Sequence, residues 1–298
     1  MTALIPEYHS DSMFPWRRRA GVALWMAQLQ RDHLSSTAPL SGGRGPIVSL
    51  TSYGPRIRHV HLTLESIAQG RLVPKRTVLW LSDPSAKRRV PANLKRLIKR
   101  GLEVRFTEDL GPHKKYFPFV MQERVDSPLV TADDDVLYPR FWLAELLNAY
   151  AARPGNVHAF RVHVANLDSS GMRFRPYAEW TQCTSTRSNR NNFSTGCSGV
   201  LFPPDVLSAL RSSGRGFESC CPWADDIWLN LHAQRTGHYV AQVREDSMRF
   251  LGILLTQRKG LFHRNVYGNG NDSALAATFN ETDYARLTEQ EDRAGITF

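Results

Sequence analysis

The sequence predicts an α/β protein built on a doubly wound, mainly parallel sheet. From residue 47 onward, short apolar runs alternate with segments whose apolar residues recur at helical spacing. Strands that alternate with helices are joined by right-handed crossovers, which make neighbouring strands parallel and cover both faces of the sheet. A chain of 298 residues, 42% of them hydrophobic, can bury the core of one such domain.

Four apolar runs in the first half of the chain predict strands. They are IVSL at 47–50, TVLWL at 77–81, LEVRF at 102–106 and PLVTA at 128–132. Each is short and bounded by polar residues, glycine or proline, as expected of strands that are buried in a central sheet.

Four segments predict the helices that accompany these strands, at 58–70, 91–101, about 114–123 and 139–150. In the first, we expect Val60, Leu64 and Ile67 to share one face. The inward residues of the second are predicted to be Leu94, Leu97 and Ile98, and Pro139 is predicted to lie in the first turn of the last.

The two ends of the chain differ in character from this domain. The stretch FPWRRRAGVALWMAQL at 14–29 places a basic cluster before an apolar run that is too short to cross a bilayer. It predicts an amphipathic helix, and two roles stay open: contact with an anionic membrane or packing on the body of the protein. We divide the chain into a basic segment and linker at 1–45, an α/β domain at 46–270 and a tail helix at 271–298.

Composition restricts the partners and the compartment. The net charge of +10 indicates anionic binding partners, such as phosphorylated metabolites, an acidic membrane surface or nucleic acid. Basic residues are scattered along the chain and the most organised polar cluster is acidic, so we expect no nucleic-acid partner. The four cysteines lack the spacing of a zinc site and favour a reducing compartment, which makes the cytoplasm, with the inner face of the membrane as an option, the expected location.

Three adjacent carboxylates follow the fourth predicted strand in LVTADDDVLYPRFW, residues 129–142. Open α/β sheets bind ligands at the carboxyl ends of their strands, which is where Asp133, Asp134 and Asp135 fall. Complementing a helix N-terminus is the simpler role, but residues 136–138 separate the aspartates from the predicted helix. A divalent cation is the better explanation, because Mg²⁺ or Mn²⁺ takes one or two carboxylates together with phosphate oxygens.

A second acidic pair lies in CPWADDIWLNLHAQ, residues 221–234. Asp225 and Asp226 precede the apolar residues Ile227, Trp228 and Leu231, which have helical spacing. Two interpretations stay open for the pair. The carboxylates either stabilise the first turn of a helix, or one of them acts as a general base towards a hydroxyl group.

The order of strand, D-x-D and helix resembles the nucleotide-sugar-dependent glycosyltransferases of the GT-A fold. Other segments that resemble the inverting members, such as family 2 or β1,3-transferases, are VSLTSYGPRI, GPHKKYFPF, FSTGCSGVLFPPDVL, CPWADDIWLNLHAQRTGH and LFHRN. The likeness spans roughly residues 47 to 268. The chain departs from the pattern at Asp225, where Glu-Asp is usual for the acidic pair, and at Cys197 and Ser198, where glycine is common.

The resemblance implies a metal-dependent transfer from a nucleotide-diphosphate sugar, with UDP expected, to a hydroxyl of a glycan or glycolipid. It implies Mn²⁺ or Mg²⁺ held by Asp135, Asp133 and His263, and Asp226 as the base with Asp225 beside it. The residues implied for donor binding are Thr51, Ser52, Tyr53, Arg56, Lys115, Asp133 and Asp134. Inversion is expected; a retaining transferase is the alternative within enzymes, and a basic nucleic-acid-binding protein is the alternative outside them.

The polar stretch at 168–196 carries Tyr177 and Trp180. Long loops of this composition are functional or disordered. In a transferase, an aromatic side chain here would stack on an acceptor sugar; a disordered insertion is the alternative.

Overall fold

The computed structural model describes residues 15–254, 256 and 270–288. The predicted metal ligand His263 therefore lies outside the described residues. The strands within these ranges are β1 Ile47–Ser52, β2 Thr77–Leu81, β3 Leu102–Phe106, β4 Leu129–Ala132, β5 Val136–Leu137, β6 Val157–Ala159, β7 Val162–Val164, β8 Thr181–Gln182, β9 Asn192–Ser194, β10 Val200–Phe202, β11 Val240–Gln242 and β12 Leu251–Gly252.

Helices separate most of these strands. They are α1 Pro15–Ser35, α2 Val60–Ala68, α3 Pro84–Arg88, α4 Ala92–Ile98, α5 Phe117–Gln122, α6 Trp142–Ala152, α7 Pro204–Ser212, α8 Phe217–Cys220, α9 Asp225–Arg235, α10 Gly270–Thr278 and α11 Glu281–Thr288. Short 3₁₀ helices cover Gly54–Arg58, Gly111–Lys115 and Tyr177–Glu179.

Seven strands form the central sheet in the order β11-β6-β10-β4-β1-β2-β3. Only β10 runs antiparallel to its neighbours in that sheet, pairing with β4 and β6. Side chains alternate between two cores: Val78 and Trp80 of β2 face one, and Leu79 and Leu81 face the other. Helices α5, α7 and α9 cover the first face, and α2, α4 and α6 cover the second. The predicted doubly wound, mainly parallel α/β fold is confirmed.

Two local predictions are wrong. Ile98 is 40% exposed, because only Leu94 and Leu97 of α4 turn towards the sheet. The helix predicted to have Pro139 in its first turn begins instead at Trp142. The residues before it form the strand β5 and a turn. The strand β5 pairs antiparallel with β12, and this two-stranded sheet places β12 next to the three aspartates.

The segment 168–196 is folded, so the disordered alternative is wrong. It contributes β8 and β9, which flank β7 in a three-stranded antiparallel sheet. Trp180 is buried, and its indole nitrogen donates to the Arg175 carbonyl at 3.0 Å.

The N-terminal helix α1 packs on the body of the protein. Val22, Trp25 and Leu29 are buried against a cluster that includes Leu62 of α2 and Leu251 of β12. Helix α2 therefore lies between the sheet and α1, and all of its residues are buried rather than one face alone. No helix in the described ranges is long and apolar enough to span a bilayer.

Candidate functional site

A cleft of about 500 Å³ lies at the carboxyl edge of the central sheet. Its floor includes Ala132 and Asp133 at the end of β4 and Thr51 and Tyr53 at the end of β1. Parallel strands present their carboxyl ends at the same edge, which is why residues far apart in sequence meet here. The volume falls within the range of small-molecule sites, about 300–1,000 Å³.

The backbone of the three aspartates is fixed at each residue. The amide of Asp133 donates to the Tyr138 hydroxyl at 2.8 Å, and the Tyr138 ring packs on Trp142 at 4.0 Å. The carbonyl of Asp134 accepts from the Thr63 hydroxyl at 3.0 Å, and that of Asp135 accepts from the amide of Ile253 at 2.8 Å. The carboxylates are thus presented on a rigid turn.

Arg56 binds the second and third aspartates of this turn. Its guanidinium lies 2.8 Å from Asp134 Oδ1 and 3.0 Å from Asp135 Oδ2. The Ser52 hydroxyl donates to the other oxygen of Asp134 at 2.6 Å. Burial, reinforced by the neighbouring Asp134 charge, raises the pKa of Asp135 to about 7 even with Arg56 present. A further cation near Asp135 would therefore favour its ionised form.

The carboxylates of Asp133 and Asp135 offer oxygen donors, which are the ligands that a hard divalent cation prefers. Asp133 lines the cleft and Asp135 lies two positions further on. Within the described ranges, no group of three or more His, Cys, Asp or Glu side chains is placed to hold a metal ion. Mg²⁺ and Mn²⁺ commonly take one or two carboxylates and complete their shells with water and phosphate oxygens. Asp135 is not among the lining residues of the cleft and pairs with Arg56, whereas Asp133 pairs with Lys115, so a shared metal role for the two stays a prediction.

Lys115 joins the two acidic clusters. Its ammonium group lies 3.0 Å from Asp133 Oδ1 and 3.1 Å from Asp225 Oδ2, and the side chain is buried. Burial lowers the pKa of Lys115, but the two carboxylates outweigh it and hold that pKa well above its usual value. A permanent positive charge therefore lies between the aspartates of the D-x-D turn and those of α9.

The 3₁₀ turn that carries Lys115 is anchored by His113. The imidazole is fully buried, stacks on Phe217 at 3.9 Å and hydrogen-bonds the Cys221 carbonyl and the Tyr116 hydroxyl, both at 2.9 Å. Burial lowers the pKa of His113 to about 4, so the ring is neutral. This anchor fixes the 111–115 turn against the segment that leads into α9.

Both carboxylates of α9 line the cleft. Asp225 pairs with Lys115, whereas Asp226 forms no ion pair among the described residues. Its carbonyl accepts from Asn230 Nδ2 at 2.7 Å, and Asn230 also bonds the backbone of Ser194, which ties the helix start to β9. Burial and the adjacent Asp225 charge raise the pKa of Asp226 to about 7, while Lys115 opposes the shift. Both aspartates lie in the first turn of α9, and Asp226 Oδ1 accepts from the Ile227 amide at 3.0 Å, so stabilisation of the helix start stays an interpretation beside the catalytic one.

The loop 196–199 closes one side of the cleft in a constrained backbone conformation. Ser198 has a φ of 67°, in the left-handed region that favours glycine, and its hydroxyl accepts from the Phe250 amide at 3.0 Å. Gly199 has a φ of 86°, and a Cβ on it would lie 2.6 Å from Trp142 Nε1. Trp142 Nε1 in turn donates to the Ser198 carbonyl at 2.9 Å. Ser198 therefore adopts a backbone conformation that glycine would adopt without strain.

Most residues predicted for donor binding and catalysis meet in this cleft. Those that line it are Thr51, Tyr53, Arg56, Lys115, Asp133, Asp134, Asp225 and Asp226. The Thr51 hydroxyl donates to the Trp80 carbonyl at 3.0 Å, and Ser52 is bound to Asp134 instead of lining the cleft. The roles of these residues stay predictions.

The cleft has lining residues that sequence reasoning missed. They are Arg161, His163, Cys197, Trp223 and Asn271. Arg161 and His163 come from the connection after β6 and from β7, and Asn271 comes from α10. No local pattern marks them, because each is a single polar residue that only the tertiary fold brings to the cleft. Tyr177 and Trp180, the aromatic residues noted in 168–196, line the same cleft. Stacking of either ring on an acceptor sugar stays a prediction.

Comparison with known proteins finds similarity at the level of solved structures. No family model matches the chain, and no curated protein matches it. The mannosyltransferase PcManGT from Pyrobaculum calidifontis, in complex with GDP-Man and Mn²⁺, is 16% identical, with 89% of this chain and 75% of that chain covered and a TM-score of 0.49. TarS 1–349 from S. aureus is 11% identical, with coverage of 82% and 70% and a TM-score of 0.46. The same TarS fragment in complex with UDP-GlcNAc is 12% identical, with coverage of 82% and 70% and a TM-score of 0.48.

Proposed function

We propose that the protein is a metal-dependent glycosyltransferase of the GT-A type. It would move a sugar from a nucleotide-diphosphate donor, most simply a UDP-sugar, to a hydroxyl of a glycan or glycolipid, with inversion. The observation that carries the proposal is the pair of acidic clusters in one cleft, linked by the buried Lys115 through Asp133 and Asp225. An inverting transfer uses both kinds of acidic site, one to hold a cation at the donor diphosphate and one to accept the proton of the acceptor hydroxyl.

The donor side of the proposal rests on the D-x-D turn. Asp133 and Asp135, with His263, would hold Mn²⁺ or Mg²⁺, which when bound stabilises the negative charge that develops on the leaving diphosphate. Tyr53 is 41% exposed at the end of β1, with the Arg56 guanidinium 5.3 Å from its ring centroid. An exposed aromatic face at this edge offers a stacking surface for the base of the nucleotide.

Asp226 would act as the base on the acceptor side. Its raised pKa, about 7, matches the value at which a carboxylate is both ionised and basic enough to accept a hydroxyl proton. In the transfer, the acceptor oxygen bonds the anomeric carbon of the donor sugar, and the bond from that carbon to the diphosphate oxygen breaks. The hydroxyl proton passes to Asp226, and the nucleoside diphosphate leaves with the bonding electrons.

A retaining transferase of similar fold is the alternative, and product stereochemistry separates the two. A retaining reaction has no requirement for a base positioned like Asp226. A panel of nucleotide sugars, tested with Mn²⁺ for binding and for slow hydrolysis without acceptor, identifies the donor. NMR of the product then gives the anomeric configuration: inversion supports the proposal, and the donor's own configuration contradicts the base assignment.

We further propose peripheral contact with an anionic membrane at the cytoplasmic face, through the outer side of α1. Leu24 and Leu34 are 64% and 58% exposed. Arg96 donates to the Leu34 carbonyl at 3.4 Å, which brings the exposed Lys95 of α4 and Lys99, which follows α4, near this end of α1. Exposed leucines beside lysines suit an acidic bilayer surface.

Vesicle flotation tests this contact. Removing residues 1–40 would uncover the core beneath α1, so the variant should be Leu24→Glu combined with Leu34→Glu. We expect the full chain to float with phosphatidylserine vesicles at low salt and the double variant to float less. Equal flotation of both proteins, or a floating fraction that does not change with salt concentration, would contradict the proposed membrane contact.

A further inference from the structure

The cleft contains a second set of side chains that the transfer step proposed above does not use. We call Arg161, His163, Tyr177, Trp180 and Asn271 the Tyr177 cluster; all five line the cleft together with Asp226. Tyr177 lies near enough to Asp226 for the carboxylate to add to the effect of burial in raising the pKa of the phenol. The cluster is therefore adjacent to the proposed base.

Two buried polar atoms of the cluster lack hydrogen-bond partners in the part of the chain that the structure describes. They are Nδ1 of His163, whose residue is 9% exposed, and Oδ1 of Asn271, whose residue is 5% exposed. Burial and the nearby Arg161 lower the pKa of His163 to about 4, so the ring is neutral and can both donate and accept. Buried polar atoms are normally paired, so both are candidates for bonds to a ligand rich in hydroxyls.

Aromatic rings lie beside these polar atoms. The ring centroids of Tyr177 and Trp180 are 4.7 Å apart, and that of His163 is 5.8 Å from Tyr177. Trp180 is buried beneath the half-buried Tyr177, whose amide donates to Asp272 Oδ1 at 2.7 Å. A fixed aromatic face with polar atoms around it matches a pyranose, which has an apolar C–H face and a rim of hydroxyls.

Arg161 adds a positive charge to this side of the cleft. Its Nη1 donates to the Thr195 hydroxyl at 2.9 Å, and no carboxylate of the described residues forms an ion pair with it. A guanidinium has five N–H donors in a planar fork that fits a carboxylate or a phosphate. One neutral hydroxyl leaves most of that capacity for a ligand.

We propose that the Tyr177 cluster is an acceptor subsite for an acidic pyranose. The sugar ring packs on Tyr177, its hydroxyls bond His163 Nδ1 and Asn271 Oδ1, and its carboxylate or phosphate pairs with Arg161. The inference rests on the proposed transferase function, because the acceptor hydroxyl has to reach Asp226.

Saturation-transfer NMR on the full chain tests the proposal with defined probes. The acidic probes are methyl glucuronide, methyl galacturonide and glucose 6-phosphate; methyl glucoside, methyl galactoside and inorganic phosphate are the controls. We expect at least one acidic sugar to bind about tenfold more tightly than its neutral counterpart, since a charge-assisted pair contributes roughly that much. The uronides and the sugar phosphate distinguish the two sources of the anion.

Two variants test whether Arg161 binds the carboxylate or phosphate of the acidic sugar. Arg161→Gln should remove the preference for acidic sugars, whereas Arg187→Gln, an exposed arginine outside the cleft, should keep it. Equal binding of acidic and neutral sugars, or binding of inorganic phosphate as tight as that of glucose 6-phosphate, would overturn the subsite.

Calorimetry of UDP with Mn²⁺ separates this proposal from the transferase itself. If Arg161→Gln weakened UDP binding and left the sugars unaffected, Arg161 would serve the donor and the subsite would be wrong. If wild-type protein bound acidic sugars through Arg161 and bound no nucleotide of the donor panel, the transferase function would fail, and with it the acceptor role.

Discussion

The ammonium group of Lys115 lies 3.1 Å from Asp225 Oδ2, although the two residues come from distant parts of the chain. The same group lies 3.0 Å from Asp133 Oδ1. The cation therefore belongs to both acidic clusters and fixes their separation. In the proposed reaction, this contact connects the donor side of the cleft to the acceptor side.

Lys115→Met should destabilise the protein. The substitution leaves Asp133 and Asp225 without their shared cation, and breaking a buried ion pair by removing one partner costs about 3 kcal/mol or more. Urea unfolding measures the free energy of unfolding. Lys95→Met, at an exposed lysine of α4, is the control and should change it by less than about 0.5 kcal/mol. Equal effects of the two substitutions would show that the bridge contributes nothing.

Nucleotide binding should depend on the metal and on Asp135. The described carboxylates form only a partial donor set, so a divalent ion and a diphosphate are expected to bind tightly only together. Calorimetric titration with UDP should give higher affinity with Mn²⁺ than with EDTA, and Asp135→Asn should lose the difference. Asp126→Asn, at an exposed site, should keep it. The same UDP affinity in Mn²⁺, in EDTA and in Asp135→Asn would exclude the metal site.

Turnover should rise with pH up to about 7 and then level off. The pKa of Asp226 is raised to about 7 by burial and by Asp225, and only the ionised form accepts a proton. Below that pKa the rate should fall about tenfold per pH unit at saturating donor and Mn²⁺. Lys115 lowers the pKa of Asp226, so Lys115→Met should move the rising part of the pH–rate profile to higher pH. A profile that stays flat from pH 5 to pH 8 would mean that Asp226 keeps an ordinary pKa or is not the base.

Gly199→Ala should destabilise the loop beside the cleft. The residue has a φ of 86°, and the new Cβ would lie 2.6 Å from the Trp142 ring nitrogen. Backbone strain and overpacking together are expected to cost about 2 kcal/mol or more. Gly155→Ala is the matched control, because nothing lies within 4 Å of its Cβ position and its φ is not positive. Similar melting temperatures for the two variants would contradict this account of the loop.

The strands and the place of the first acidic cluster were predictable from local sequence. Runs such as TVLWL are buried on both faces, so a continuous apolar run bounded by polar residues was enough to find β2. Asp133 follows such a run directly, and the edge at which parallel strands end is fixed by the fold class.

The contacts that organise the site were not predictable in this way. The bonds of Arg56 to Asp134 and of Lys115 to Asp225 join residues from different elements, and no periodicity encodes them. An amphipathic pattern also cannot distinguish a membrane from a protein core, because both bury the same apolar face; Val22 and Trp25 of α1 contact the core. His163 and Asn271 carry no local signal at all.

In the proposed mechanism, Asp226 is the base that removes the proton of the acceptor hydroxyl. The most direct test of this role is the turnover of Asp226→Asn at saturating donor and Mn²⁺, with UDP affinity measured on the same protein. We expect turnover to fall by about 10²–10⁴-fold with UDP affinity unchanged, and Asp225→Asn to show a milder loss. Turnover of Asp226→Asn close to that of the wild-type protein would contradict this role.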